Sequence, residues 1–242
     1  MMSTDLMIIL FNIYIHREEK HMNYIIVDLE MNPVADRYKA ERKICRSEII
    51  EIGAVIINDE FDVLGEFKTL VRPQYNDVIY KRYEEMTGIS TQMVYGAPVF
   101  AAAYEMFVKW CEAYGDAYEV YAWSDNDYKQ ITSEMKLKHY DSEAGEGKLT
   151  KWFDFQKEYT NKLGLEKVMS LEKALNYVGI EYKGHMHDAL CDARNTAELF
   201  RIARDENSNE ALKNIMDVLK PSNISSSLGE LFNFGALMAK VG

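Results

Sequence analysis

The sequence predicts an α/β fold in which helices cover a mixed β-sheet. Two observations support this prediction. Three apolar, strand-like runs follow one another early in the chain, at residues 24–31, 49–57 and 67–71. After them, segments with apolar residues every three or four positions, typical of helices, are mixed with further strand-like runs. Strands in succession, followed by strands mixed with helices, are typical of an α/β layer built on a mixed sheet.

The first three runs have the composition of strands. Residues 24–31 open with a continuous apolar stretch, as in a strand that is buried on both faces. Residues 49–57 contain Gly53 and a single charge, Glu51, and an Asn-Asp-Glu sequence that indicates a turn follows them. Residues 67–71 end before an Arg-Pro pair. Three such runs close together predict a meander.

The later elements alternate in type. Ser170 is a typical N-cap, and it precedes a helix that Gly179 closes. The other expected elements are a helix at 100–114, a fourth strand at 118–123, a helix at 128–138, a short fifth strand at 149–155 and a last helix at 189–203.

Composition excludes several classes of protein. The chain has 242 residues, of which 48% are hydrophobic, so it can bury a core and is not globally disordered. Its net charge of −11 excludes a globally basic nucleic-acid coat protein but is compatible with a local basic patch. Three widely spaced cysteines argue against a disulfide scaffold or a structural zinc site and favour a reducing cytoplasm. No apolar run is long enough to span a bilayer, so we expect no membrane association.

The patterned elements define one domain, which we expect at residues 22–205. Residues 1–21 show no clear periodicity, and we interpret them as an N-terminal extension outside the domain, with Met22 as an alternative start. A polar linker at 220–227 precedes a capping-box spacing and a short apolar segment. We therefore expect residues 206–242 to form a helical tail that docks on the domain or on a protein partner.

The most unusual feature of the sequence is a pair of carboxylates in the otherwise apolar first strand. Asp28 and Glu30 are two residues apart, so their side chains project from the same face of an otherwise apolar strand. Burying unpaired carboxylates side by side is unfavourable, and a divalent cation such as Mg²⁺ or Mn²⁺ would neutralise both. Two solvated acids at the end of a strand explain this three-residue pattern equally well.

Two further clusters carry acidic residues. His187 precedes the last helix, where an imidazole that titrates near neutrality suits a general base, and Asp192 lies beside the apolar stripe of that helix. Asp188 competes with Asp192, because residues four apart share a helix face. After the fourth strand, Asp125 and Asp127 offer a third acidic position where open α/β sheets often bind ligands. Taken alone, each cluster is more simply a set of solvated side chains.

The order of the three clusters is more specific than any one of them. Asp-x-Glu in the first strand, an Asp after the fourth strand and His-x₄-Asp at the last helix resemble the DEDDh exonucleases of the ribonuclease-H-like superfamily. Segments 49–55, 86–98 and 187–197 also resemble motifs of that family. The resemblance covers about residues 23–204 and implies a ribonuclease-H-like fold, with a central mixed five-stranded sheet flanked by helices. Trp-Ser-x-x-Asp at 123–127 is most similar to the branch of histone-mRNA exonucleases and sporulation inhibitors.

The resemblance also implies roles for individual residues. Asp28, Glu30 and Asp192 would hold one metal ion, and Asp28 would bridge to a second. Asp127, which matches the motif better than Asp125, would complete the acidic set. His187 would accept a proton from the attacking water. The implied reaction is two-metal hydrolysis of phosphodiesters from the 3′ end, with release of nucleoside 5′-monophosphates.

Four residues are candidates for binding the substrate. Arg37 and Lys43 belong to a basic loop after the first strand and could attract phosphates, although a solvated loop is an equal alternative. Trp123 could stack on a base, but aromatic residues are more often buried in the core. Met31 stands where other family members often have Thr, which changes a local substrate contact.

The branch resemblance favours single-stranded RNA over DNA as the substrate. Two alternatives remain open at this point. The chain could be a catalytically idle regulator that binds nucleic acid or protein, as the likeness to sporulation inhibitors implies. It could also be a proofreading exonuclease that docks on a polymerase through its tail, at residues 228–237.

Overall fold

A five-stranded mixed sheet forms the centre of the fold, as the sequence analysis predicts. The structure is a computed structural model, and it describes residues 22–115, 117–140 and 152–205. Its strands lie in the order β3-β2-β1-β4-β5. The first three form an antiparallel meander, whereas β4 and β5 run parallel to β1. The strands are β1 (Asn23–Pro33), β2 (Ser47–Ile57), β3 (Val63–Leu70), β4 (Tyr118–Ala122) and β5 (Trp152–Asp154).

Helices connect and cover these strands. The two longest are α4 and α8, which lie on opposite faces of the sheet. In chain order, the described helices are α1 (Glu41–Ile44), α2 (Lys81–Thr87), α3 (Thr91–Tyr95), α4 (Phe100–Glu112), α5 (Asn126–Leu137), α6 (Phe155–Lys162), α7 (Leu171–Tyr177) and α8 (Ala189–Arg204).

The alternation of side chains along β1 divides the core into two layers. Ile25 packs in the layer that contains Phe107 of α4, whereas its neighbour Ile26 packs in the layer that contains Phe200 of α8. All of these side chains are buried, because successive residues of a strand point to opposite faces and both faces are covered. Burial on both faces of the sheet therefore explains the continuous apolar run at the start of β1, as its composition predicts.

The pairing of β1 leaves its carboxyl-terminal half open on one side. β4 pairs with β1 as far as Val27, which lies opposite Ala122. β1 then continues to Pro33 in antiparallel pairing with β2. The acidic residues of β1 thus lie beyond the end of β4, next to the start of α5.

Several elements differ from the sequence predictions. β3 begins at Val63, four residues before the predicted start at residue 67. Charged Glu66 and Lys68 interrupt the apolar pattern of this edge strand, so its first residues were not recognised in the sequence. β5 ends at Asp154, whose side chain accepts a hydrogen bond from the Lys157 N–H and caps α6, so Phe155 begins a helix. Four of the described helices, α1, α2, α3 and α6, were not expected from the sequence.

The predicted extension at 1–21 and the predicted tail at 206–242 lie outside the described residues. Among the helices that the structure describes, none combines the length and apolar character needed to cross a membrane.

Candidate active site

β1 and β2 place three acidic side chains on the face of the sheet that α8 covers. Asp28 lies opposite Gly53, and Glu30 lies opposite Glu51. Paired residues of neighbouring strands point to the same face, so Asp28, Glu30 and Glu51 share it. Glu30 and Glu51 are 5% and 3% exposed, which excludes the interpretation of the first-strand acids as fully solvated.

The start of α5 supplies a further carboxylate. Asp127 lies in the first turn of α5 and is buried. Asp125, the competing candidate, instead forms ion pairs with Lys129 at 2.8 Å and Lys157 at 3.0 Å. These hydrogen-bonded cations hold the pKa of Asp125 below its usual value. The structure therefore brings Asp127, and not Asp125, towards Asp28.

The loop before α8 fixes the last acid. The two carboxylate oxygens of Asp192 accept hydrogen bonds from different groups. The Tyr182 hydroxyl donates to Oδ1 at 2.8 Å, and the backbone N–H of His187 donates to Oδ2 at 2.9 Å. His187 has a φ of 63°, a left-handed backbone conformation that is uncommon for a residue other than glycine. The bond to Asp192 therefore helps to hold the histidine loop in an unusual shape.

The histidine and two of the acids converge in a group that could hold a metal ion. Glu30, His187 and Asp192 each offer one ligand atom, and these atoms lie within 4.8 Å of one another. They come from β1, the loop before α8 and α8 itself. The His187 side chain is exposed, so solvent reaches this side of the group.

Burial and mutual repulsion disfavour the charged forms of all four clustered acids. Burial, followed by the charges of Asp127, Asp192 and Glu30, raises the pKa of Asp28 well above its usual value. Burial, followed by Asp192 and Glu51, raises the pKa of Glu30 to about 9.

The other two acids show the same trend. Burial raises the pKa of Asp127 to about 7, although hydrogen bonds from its own backbone and that of Leu29 oppose the shift. Burial also raises the pKa of Asp192, and the Tyr182 hydroxyl opposes that shift. Such a group of acids remains partly protonated at neutral pH unless a cation binds to it.

Comparison with known proteins identifies the family. The family model RNase_T, described as Exonuclease, matches residues 25–200, which is most of the chain. The chain belongs to the DEDDh 3′–5′ exonuclease family. Curated relatives of this DEDDh protein include mouse (Mus musculus) ERI1 exoribonuclease 2, 29% identical over 178 residues, and rat (Rattus norvegicus) 3′-5′ exoribonuclease 1, 25% identical over 161 residues. These alignments cover 65% and 63% of the chain but 26% and 45% of the relatives, so the chain spans less than half the length of either.

Solved structures show the same fold. The nuclease domain of 3′hExo, a DEDDh family member bound to rAMP, has a TM-score of 0.65 and 21% identity, covering 78% of this chain and 96% of that one. A 3′-exonuclease in a structure of 3′-end recognition of the histone mRNA stem-loop has a TM-score of 0.66 and 20% identity, covering 86% and 76%. Pop2p of S. pombe, in a form with Mg²⁺ and Mn²⁺ bound, has a TM-score of 0.56 and 16% identity, covering 84% and 91%.

The four predicted substrate-binding residues of this DEDDh protein lie on different elements. Met31 follows a β-bulge after Glu30 and packs against the α4 layer. Trp123 follows β4 and is half-buried, with its ring 5.9 Å from that of Phe155. In the basic loop, Arg37 pairs with Asp77 at 2.9 Å. Lys43 is exposed in the last turn of α1.

Sequence reasoning missed two groups that contact the site of this DEDDh protein. Glu51 appeared only as a charge within a strand, yet it faces the same way as Glu30 and accepts a hydrogen bond from α8 at Ala189. An isolated acid in an otherwise apolar strand, two residues before a glycine, was the available signal. Tyr182, which donates to Asp192, lies in a loop where no pattern distinguishes it.

Proposed function

We propose that the protein is a metal-dependent 3′–5′ exonuclease that shortens single-stranded nucleic acid, with RNA preferred over DNA, and releases nucleoside 5′-monophosphates. One observation carries this proposal. Four acids from β1, α5 and α8 lie buried near one another, so burial and their neighbouring charges raise all four pKa values, and a histidine lies against two of them. This combination of carboxylates and a titratable base is what hydrolysis of an anionic phosphodiester requires.

The donor set fits two divalent cations. Its oxygen ligands suit Mg²⁺ or Mn²⁺, and its raised pKa values reflect burial together with neighbouring negative charge, which a cation would compensate. Asp28, Glu30 and Asp192 would hold one ion, and Asp28 and Asp127 the other. When bound, two such ions stabilise charge on the attacking and leaving oxygens of a phosphodiester.

His187 is the proposed general base. Its exposed side chain lies at the solvent side of the site, where an attacking water can reach it. It can accept a proton from the attacking water only while its imidazole is neutral. The hydrogen bond from its backbone N–H to Asp192 keeps the base and an acid in a fixed relation.

Residues outside the acidic group would bind the substrate strand. In this proposal, Lys43 and Arg37 attract phosphates, Trp123 offers ring surface for stacking on a base, and Met31 contacts the terminal nucleotide. The preference for RNA rests on relatives named as exoribonucleases and on similar structures that contain rAMP or the histone mRNA stem-loop. A cytoplasmic location and a protein partner for residues 206–242 remain predictions; the free state of all three cysteines agrees with the first.

A time course on matched RNA and DNA oligonucleotides labelled at the 5′ end tests the proposal. With Mg²⁺ or Mn²⁺, we expect a ladder that shortens from the 3′ end, faster for RNA, and no cleavage with a chelator. Asp28→Asn is the matched inactive control, because it preserves shape but removes the bridging charge. Metal-supported binding without cleavage by the unsubstituted protein would overturn the exonuclease proposal and favour the idle-regulator alternative.

A further inference from the structure

The first turn of α8 lies directly on β2. A Cβ atom added at Gly53 would lie 2.2 Å from the backbone carbon of Ala189, so only glycine permits this approach. Gly53 is paired with Asp28 on one side and with Lys68 of β3 on the other. α8 therefore starts above the middle of three strands. The acidic group lies on the β1 flank of this turn, and Lys68 lies on the β3 flank.

Three side chains fix α8 at this position, and we call them the anchor network: Glu51, Lys68 and Asp188. Glu51 accepts a hydrogen bond from the Ala189 N–H at 3.0 Å. Asp188 is the N-cap of α8 and accepts from the Cys191 N–H at 3.0 Å. The Lys68 ammonium lies 2.5 Å from Asp188 and 3.3 Å from Glu51, so one cation joins the strand acid to the helix cap.

The charge balance of the network depends on Lys68. Glu51 is 3% exposed, whereas the side chain of Asp188 is 26% exposed and can turn towards solvent. Without the cation, the two carboxylates repel each other and the exposed one has the freedom to move away. Asp188 caps α8 and directly follows His187. Its movement would therefore release the start of α8 and loosen the loop that carries His187.

We infer that Lys68 is a positioning residue, which holds the first turn of α8 so that His187 and Asp192 stay against Glu30. This inference rests on the proposed function for its kinetic consequence, but its structural content can be tested on the metal-free protein. Partners behind metal ligands and catalytic groups commonly change activity by about 10- to 100-fold when they are removed.

Lys68→Met tests the inference, because it keeps the length of the side chain and removes its charge. We expect kcat on RNA to fall by about 10- to 100-fold, while KM changes by less than about twofold. In the metal-free protein, the imidazole NMR signals of His187, assigned with His187→Gln, should shift, and those of His139 should not. Lys68→Arg keeps the charge and should recover most of kcat. Lys81→Met is the matched control, since Lys81 pairs with Glu85 on α2, and it should change neither measurement.

A second variant keeps the test decisive if Lys68→Met folds poorly. Asp188→Asn retains an oxygen that can cap α8 but cannot form the ion pair. It should shift the His187 signals in the same way, and its kinetic effect should not add to that of Lys68→Met, because both break one interaction. Unchanged His187 signals in the variants would overturn the inference. Absence of cleavage by the unsubstituted protein would instead refute the proposed function, and the NMR shift would still decide the role of Lys68.

Discussion

Metal binding to the candidate site should release protons, because the raised pKa values keep its acids partly protonated in the metal-free protein. A carboxyl group with a pKa of about 9, as for Glu30, is almost fully protonated at pH 7, and one with a pKa of about 7, as for Asp127, is half protonated. Metal ligation requires the charged forms, so these two acids alone release about 1.5 protons at pH 7. Asp28 and Asp192, whose pKa values are also raised, add to this number. At pH 9 the same two acids release only about 0.5 protons.

Calorimetry measures this release directly. Mn²⁺ is titrated into metal-free protein in buffers with different ionisation enthalpies, and the slope of the observed enthalpy against the buffer enthalpy gives the protons exchanged. Glu30→Gln is the matched control, because it removes the acid with a pKa of about 9 and should reduce the release at pH 7 by about one proton. A release below about 0.5 protons at pH 7, or the same release at pH 7 and pH 9, would refute the electrostatic reasoning.

Four further predictions concern single residues. The raised pKa of Glu30 means that the fold favours the protonated acid, so metal-free protein should lose stability as pH rises from about 4.5 to 9. Glu30→Gln should therefore raise the Tm of the metal-free protein at pH 8 by at least about 3 °C in calorimetric scans. An unchanged Tm would contradict the raised pKa. His187→Ala should lose about 10²- to 10⁴-fold in turnover while RNA binding in Mn²⁺, measured by filter retention, persists; full activity at neutral pH would remove His187 from the mechanism. Asp127→Asn should abolish cleavage, whereas Asp125→Asn should retain most of it, and the reverse result would exchange their assignments. Lys43→Gln should reduce the slope of log KM against log salt by about one, and an identical slope would exclude Lys43 from the substrate path.

Local patterns were sufficient to predict most of the fold and the direction in which the acids project, whereas only the family resemblance joined these acids into one site. The two-residue periodicity of a strand places Asp28 and Glu30 on one face, and the structure has them there. The apolar stripe of the last helix predicts that Asp192 can face inward, and it is indeed near Glu30. These predictions succeed because each depends on residues adjacent in the chain.

Other features depend on contacts between distant segments, which a single sequence does not show. The sequence left Asp125 and Asp127 as competitors, and part of the distinction lies in Lys157, thirty-two positions after Asp125 in another helix. The end of β5 was misplaced because an apolar Phe155 is compatible with a buried strand as well as with a buried helix, and the cap from Asp154 decides in favour of the helix. The anchor network joins β2, β3 and α8 in the same way, so its three members carry no common sequence signal.

The distribution of hydrogen bonds explains where the candidate site needs a cation most. Asp192 accepts from Tyr182 and His187, and Glu51 is satisfied by Ala189 and Lys68, so protein groups compensate part of their charge. Repulsion from neighbouring acids adds to burial at Asp28 and Glu30, on the strand from which these acids project. In the proposed function, a divalent ion bound to the β1 pair would recover the free energy that disfavours its charged form in the metal-free protein. The same repulsion therefore weakens the metal-free fold at high pH and strengthens its affinity for metal.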